Sequence, residues 1–251
     1  MMVHWIWLTQ LPYIGSVSAK RLIEKIGDAE SVYHTDPEIL AQKIKLTAKQ
    51  LQSIKENRNL TVAEEVLYQC EKNNISVLDW NNPAYPLRAR KLSDAPVVLY
   101  CKGQLRKMEN TVGIVGARRC SQQDKKKAVE LAQEYAQKGI PVISGMAKGI
   151  DSYAHTACLN SGGYTVAIVG NGLDICYPSE HIRLMESIEK KGLLLSEYPP
   201  GVRPSQYNFP QRNRLISSWS DKLIVISAGN RSGANITAEY SRKLGREIEW
   251  W

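Results

Sequence analysis

Hydrophobic positions follow two regimes along the chain. After an apolar start at Trp5–Leu8, positions Ala19, Leu22, Ile23 and Ile26 recur at helical spacing, and Thr47–Leu51 and Val62–Cys70 keep that character. Residues 1–65 are therefore expected to form a small all-helical domain, with 66–251 as the main one. Between Ile75 and Gly103 the pattern changes: Pro83, Pro86 and Pro96 punctuate the runs ISVL and PVVLY. These are predicted strands attached to the edge of the main domain, because a free linker would not carry Val97-Val98-Leu99-Tyr100. From Thr111 the alternation is regular. TVGIVG, PVIS, YTVAIVG, GLLLSE and DKLIVIS read as strands. Helices are predicted at Gln122–Gln137, Asp151–Leu159, Ser179–Lys190, Gln211–Trp219 and Asn235–Leu244, and REIEW is a candidate last strand. Apolar strand runs separated by amphipathic helices imply right-handed βαβ units and a parallel sheet with helices on both faces.

The segment LPYIGSVSAKRLIEKIG has the look of a helix-hairpin-helix turn, whose glycine lets backbone amides approach a DNA phosphate. Such hairpins usually carry GIG where this chain has YIG, and a plain helical packing module is the other reading. The N-terminal stretch MMVHWIWLTQLPYIG has no basic n-region and no small-residue cleavage site, and it is too short for a membrane span. It is expected to be a core helix.

Composition narrows the function classes. At 251 residues and 43% hydrophobic, the chain can fill one full α/β domain and a small accessory one. The net charge of +8 is compatible with a polyanionic partner without demanding one. The cysteines, Cys70, Cys101, Cys120, Cys158 and Cys176, are odd in number and widely spaced with no CxxC pair. That argues against a disulfide framework and a zinc site, and free thiols suit a reducing cytoplasm. The four histidines, His4, His34, His155 and His181, lack metal-ligand spacing. No metal and no cofactor is expected.

Ligands of an open parallel sheet bind at the carboxyl ends of its strands, so the loops there are the informative ones. They read GARR, SGMAKGID, GNGLD, SEYPPGVRPSQYNFPQRNRLI and AGNRSGANITAE. In SGMAKGID, Gly145 and Gly149 either open an anion cradle at a helix N-terminus, with Lys148 adding charge, or simply make a tight turn. The loop is neither GxGxxG nor a Walker A sequence, and GNG lacks the third glycine of a dinucleotide fingerprint. Asp151 is expected to cap the following helix. His155 is open to three roles: base, phosphate ligand, or helix residue bonded back to Asp151. No serine or cysteine is placed to act with it as a nucleophile.

The strongest feature is convergence. Arg118, Arg119, Lys148, Arg203, Arg212, Arg214 and Arg231 all fall in or beside loops of one sheet rim, interleaved with Tyr198, Tyr207 and Phe209. Cations for phosphates and flat rings for bases suit a single-strand groove. Phe209, the only phenylalanine, is equally open to core packing.

The ordered set VGARR, SGMAKGIDSYAH, GGYTVAIVGNGLDICYP, LLLSEYPPG, FPQRNRLIS and RSGANITAE resembles the DNA-processing protein A family, also called Smf, from about Ile75 to Gly245. The resemblance implies an extended Rossmann fold, a Rossmann-like parallel sheet preceded by a small helical domain. It also implies binding of single-stranded DNA in natural transformation, protection of incoming DNA, loading of the RecA recombinase, a homodimer and no catalytic activity. By position, the implied phosphate pocket holds Gly116 and Arg118, then Ser144, Gly145, Lys148 and Gly149. Arg212 and Arg214 add charge, and Ser232 and Gly233 close it. Arg119, Ala147, His155, Phe209 and Asn213 complete the candidate DNA-binding set. The family commonly has VGTR and an acidic residue where this chain has VGARR and Ser227. Its pattern also continues past GRE with an apolar strand and a glycine-rich segment, whereas this chain reads EIEWW, which implies a weakened sheet edge and dimer surface. Two other readings compete. One is a phosphoribohydrolase-like enzyme, for which AGNRSGANITAE lacks the paired glycines of PGGxGT and Glu239 is the only candidate acid. The other is a protein-interaction scaffold with an incidental basic rim. The chain is expected in the cytoplasm, with no membrane partner.

Overall fold

The computed structural model describes residues 1–229 and 232–251. Six helices come first: α1 (Met2–Gln10), α2 (Ser16–Ile26), α3 (Ala29–His34), α4 (Pro37–Lys43), α5 (Ala48–Glu56) and α6 (Thr61–Lys72). Several begin where a side chain satisfies a first-turn amide. Asp28 accepts from Ser31, Asp36 accepts from Glu38 with Pro37 opening the helix, and Thr47 and Gln50 form a capping box. In the α1–α2 turn, Gly15 is extended (φ −80°) and a side chain there would meet open space. The left-handed residue is Tyr13 (φ 62°), so the geometry does not call for glycine at position 15.

The sheet follows, in the order β1 (Ser76–Asp79), α7 (Leu87–Arg90), β2 (Val98–Gly103), β3 (Val112–Gly116), α8 (Gln122–Gln137), β4 (Val142–Ser144), α9 (Ile150–Asn160) and β5 (Thr165–Val169). A 3-10 turn at Ser179–His181 leads into α10 (Ile182–Lys191), then β6 (Leu193–Ser196), α11 (Asn208–Trp219), β7 (Lys222–Ile226), α12 (Gly233–Lys243) and β8 (Glu247–Trp250). Helix α1 is a core helix, burying Trp5, Ile6, Trp7 and Leu8 among α3, α6 and the first two strands. No described helix is long and apolar enough to cross a membrane.

Among the described residues, eight strands form one sheet in the order β1-β2-β6-β5-β4-β3-β7-β8. The six from β6 to β8 are parallel, as the alternation implied. The first two are antiparallel and extend one edge, so the sheet is mixed. Side-chain alternation along the strands serves both faces. Val112, Ile114, Ile224 and Ile226 pack under α8 and α9, while Val115, Leu223 and Val225 join the core beneath α11 and α12. The EIEWW segment itself supplies β8, paired in parallel with β7 from Lys222–Glu247 to Val225–Trp250.

Helix α11 starts three residues before the expected Gln211. Pro210 lies in its first turn, where a missing amide costs little, so the helix takes in Phe209. From Arg212 to Trp219 every residue is buried. The chain passes from β3 toward β4, β5 and β6 on one side and later returns to β7 on the other. That reversal leaves a crevice between the loops that follow β3 and β7, the place where open parallel sheets bind ligands.

Candidate functional site

A cleft of about 590 Å³ occupies that crevice. Its walls are Gly116–Arg119 after β3, Gly229 and Ser232 after β7, the first turn of α12, and the Arg212–Asn213 stretch of α11. A narrow recess of about 60 Å³ adjoins it, lined by Gly145–Lys148, Gly170, Tyr177, Phe209 and Arg212. Arg118, Ala147 and Arg212 border both.

Two glycines make the floor possible. A Cβ on Gly145 would lie 2.5 Å from Arg212 Nη1. Gly149 has φ +80°, and its Cβ would meet the Ala117 carbonyl oxygen at 2.3 Å. The loop after β4 thereby rests on the loop after β3, and the Ile150 amide donates to the Ala117 carbonyl at 3.2 Å.

Asp151 does not cap its own helix. Its carboxylate reaches back to accept from the amides of Gly145 (3.1 Å) and Ala147 (3.3 Å). Burial lifts the Asp151 carboxyl, while Arg212 and those amides oppose the rise. The anion cradle read in SGMAKGID is thus already filled in part by the chain's own carboxylate. The N-terminus of α12 offers the alternative: Ser232 caps it by accepting from Ala234, and Gly233 and Ala234 line the cleft.

The predicted cations separate. Arg118 and Arg119 are exposed at the mouth, and among the described residues neither has a carboxylate partner. Arg118 lies 5.9 Å over the Phe209 ring, which stacks on Tyr177 at 5.4 Å. Lys148 lines the recess but pairs with Glu180 at 2.7 Å, both side chains 55% exposed. Arg212 borders the cleft, yet its guanidinium is held by the carbonyls of Gly145 (2.5 Å) and Ile168. Its pKa falls to about 10 through burial, with Asp151 opposing, so it remains a cation near neutrality. Asn213 accepts from Arg212 Nε and donates to the Gly233 carbonyl, tying α11 to α12.

Three expected site residues lie elsewhere. Arg214 sits two positions from Arg212, about 200° around the helix, so the two cannot share a pocket. It is buried against Asp94 (2.8 Å) and Glu197 (2.6 Å). Ser144 is buried and donates to the Ile114 carbonyl. His155 is fully buried in contact with Thr165 at 2.7 Å. The Thr165 hydroxyl donates to the Val142 carbonyl, so His155 Nδ1 must be the donor to Thr165. Neither a phosphate nor a substrate proton reaches it. Tyr198 lies beside Arg214 in a separate cavity; Tyr207 and Arg203 are exposed and line neither space, and Arg231 is outside the described residues. Tyr177 was missed, although an aromatic in the loop after β5 is a readable signal. The acidic partners of Lys148 and Arg214 had no local signal.

Burial lowers the His155 pKa from 6.5 to about 3, with Arg212 adding to the drop. The unfolded chain therefore binds a proton that the fold refuses. Stability from this group is complete above about pH 6.5 and is lost progressively as pH falls toward 3. In His155→Asn, which keeps a donor without titrating, the fall in Tm between pH 7 and pH 4 is expected to be clearly smaller than in the parent. Equal pH profiles would show that His155 does not contribute.

The candidate acid of the enzyme reading is also displaced. Glu239 lies on the outer side of α12, 59% exposed and paired with Lys243 at 2.8 Å. Among the described residues no three His, Cys, Asp or Glu side chains cluster closely enough to hold a metal ion.

A mostly parallel α/β sheet with a basic crevice at its topological reversal places the chain among Rossmann-like proteins. The family described as DNA recombination-mediator protein A matches residues 76–251, and the chain belongs to it. The protein Smf of Synechocystis sp. is 34% identical over 250 residues, 98% of this chain and 63% of that protein. DNA processing protein DprA of Streptococcus pneumoniae is 41% identical over 176 residues, 70% of this chain and 61% of that one. The chain thus spans just under two thirds of these curated relatives. The X-ray structure of the Streptococcus pneumoniae protein covers 99% of this chain and is itself 84% covered, with a TM-score of 0.73 and 32% identity. DNA processing protein A of Helicobacter pylori, described for its single-stranded DNA binding mode, has a TM-score of 0.65 and 31% identity, covering 70% of this chain and 80% of that one.

Proposed function

We propose that this chain binds single-stranded DNA along the rim cleft, through phosphates and base faces, without catalysing a reaction. The observation that carries the reading is the mouth of the cleft: two exposed arginines, without carboxylate partners among the described residues, beside a stacked aromatic pair. Cations suit phosphates, and flat rings accept any base. Kinship with proteins named for DNA processing, one described for its binding of single strands, supports the ligand. The same kinship supports the biological setting: protection of incoming DNA in natural transformation and loading of RecA, by a cytoplasmic homodimer. The six leading helices would then form an accessory domain beside the DNA-binding one, with its boundary after α6 and not at residue 65, which lies within that helix.

Fluorescence anisotropy with labelled oligonucleotides tests the reading. Single strands are expected to bind more tightly than duplex, with little dependence on sequence. Log affinity should fall linearly with log salt, by about 0.7 per phosphate contact. A flat affinity between low and physiological salt would sink the proposal. Turnover of a nucleoside monophosphate that disappears in Glu239→Gln would favour the enzyme instead.

The Lys148–Glu180 pair allows a graded check. Because Glu180 already neutralises part of the lysine's charge, Lys148→Ala is expected to weaken binding only about threefold, and Glu180→Gln to tighten it slightly. Weaker binding in Glu180→Gln would show that the lysine does not face DNA.

A further inference from the structure

The run Lys125-Lys126-Lys127 in α8 takes no part in the site described above. We propose that the strand leaving the cleft crosses the first two turns of α8, where these lysines hold its backbone phosphates; the inference rests on the DNA-binding reading. Position supplies the first argument. Helix α8 begins three residues after Arg119, at the mouth of the cleft, and its start is fixed by a capping box between Ser121 and Asp124. A phosphate chain held at Arg118 and Arg119 therefore meets this surface next.

Electrostatics supplies the second. The beginning of a helix is the positive end of its dipole, where acidic side chains stabilise and cations do not. Here Asp124 is the only acid in the first turn, and three lysines follow it. Of the three, only Lys126 has a carboxylate partner among the described residues, Glu130 at 3.7 Å, with the lysine 77% exposed. Such a concentration of cations is unfavourable for the isolated helix and favourable once a polyanion lies across it.

Two of the lysines are also preorganised. Lys125 Nζ lies 4.8 Å over the Tyr153 ring, and Lys127 Nζ 3.3 Å over the Trp251 ring. The stems rest on apolar surface with their charges at its margin, so fewer rotamers are lost when a phosphate arrives. Successive residues on a helix diverge by about 100°, which spreads the three ammonium groups across the surface instead of gathering them into a pocket. That suits a backbone track and not a single small anion.

The test compares the full chain with Lys125→Gln/Lys126→Gln/Lys127→Gln on single strands of about 5 and about 16 nucleotides. Gln has nearly the helix propensity of Lys, and unchanged Tm and circular dichroism would verify folding. The short strand, which only fills the cleft, is expected to bind both proteins alike. The long strand should bind the variant about fivefold or more weakly, with a salt slope shallower by up to about two. Lys126→Glu, at the lysine whose only ion-pair partner among the described residues is Glu130, should give a smaller loss in the same direction and serves if the triple variant is unstable. Unchanged binding of the long strand would make the lysines a solvated face, and an equal loss on both lengths would place them outside any track; either result overturns the inference while leaving the cleft intact. Failure of the parent to bind either strand would instead remove the DNA-binding reading itself.

Discussion

Replacement of Arg118 by alanine is expected to weaken single-strand binding about tenfold or more while leaving Tm nearly unchanged. The side chain is exposed at the point where the cleft and its recess meet, 5.9 Å over the Phe209 ring, with no carboxylate partner among the described residues. A charge-assisted contact to a phosphate contributes about 1.5–3 kcal/mol before screening, and the planar fork can engage two oxygens at once. Arg118→Lys keeps the charge but loses the planar fork, so it too should bind several-fold more weakly than the parent. The salt slope in the alanine variant should be shallower by about 0.7. Binding isotherms at several salt concentrations check both values. Parent-like binding by a folded Arg118→Ala protein would move the site elsewhere.

Arg214→Ala should show the opposite signature, a large loss of stability. Its side chain is 3% exposed and answers two carboxylates, Asp94 and Glu197, themselves 30% and 11% exposed. Removing the cation leaves two partly buried negative charges facing each other, a change that costs about 3–5 kcal/mol. In a chain of this size that corresponds to a fall in Tm on the order of 10 °C. Combining Arg214→Ala with Asp94→Asn and Glu197→Gln removes the stranded charges and is expected to recover a good part of the loss. Any protein still folded should bind the short single strand close to normally, since this arginine faces away from the cleft. Thermal denaturation and anisotropy on the same samples separate the two effects. A stable Arg214→Ala protein that fails to bind would return this residue to the site.

These contrasting expectations for two arginines show what was legible in the chain. The alternation of apolar runs and amphipathic stretches revealed the parallel sheet, and the loops at its carboxyl rim located the crevice, because both follow from side-chain periodicity and local turn chemistry. The direction of β1 and β2 was not legible, since short apolar runs look alike in either orientation. The division of labour within FPQRNR was legible but passed over: the helix expected from Gln211 already holds both arginines, and two positions apart on a helix they point to opposite sides, as they do in α11. His155 was drawn in by its nearness in sequence to the glycine loop and Ser144 by the family resemblance, but their partners, Thr165 and the Ile114 carbonyl, lie on neighbouring strands. Such pairings depend on tertiary register, for which a single sequence carries no local mark. Tyr177 was within reach, because aromatic residues in a rim loop can be sought in the same way as cations.

The loop of Gly145–Gly149 has a consequence for the thermodynamics of encounter. It is held by Asp151 from within and by the Ala117 carbonyl from below, and Arg212 is clamped to two more carbonyls beside it. The arriving strand therefore finds a floor whose backbone is already ordered, and the main freedom to be surrendered on the protein side is that of a few exposed side chains such as Arg118. Most of the ordering entropy of complex formation then falls on the flexible polymer, so affinity grows chiefly with the length of strand engaged and little with any remodelling of the receptor.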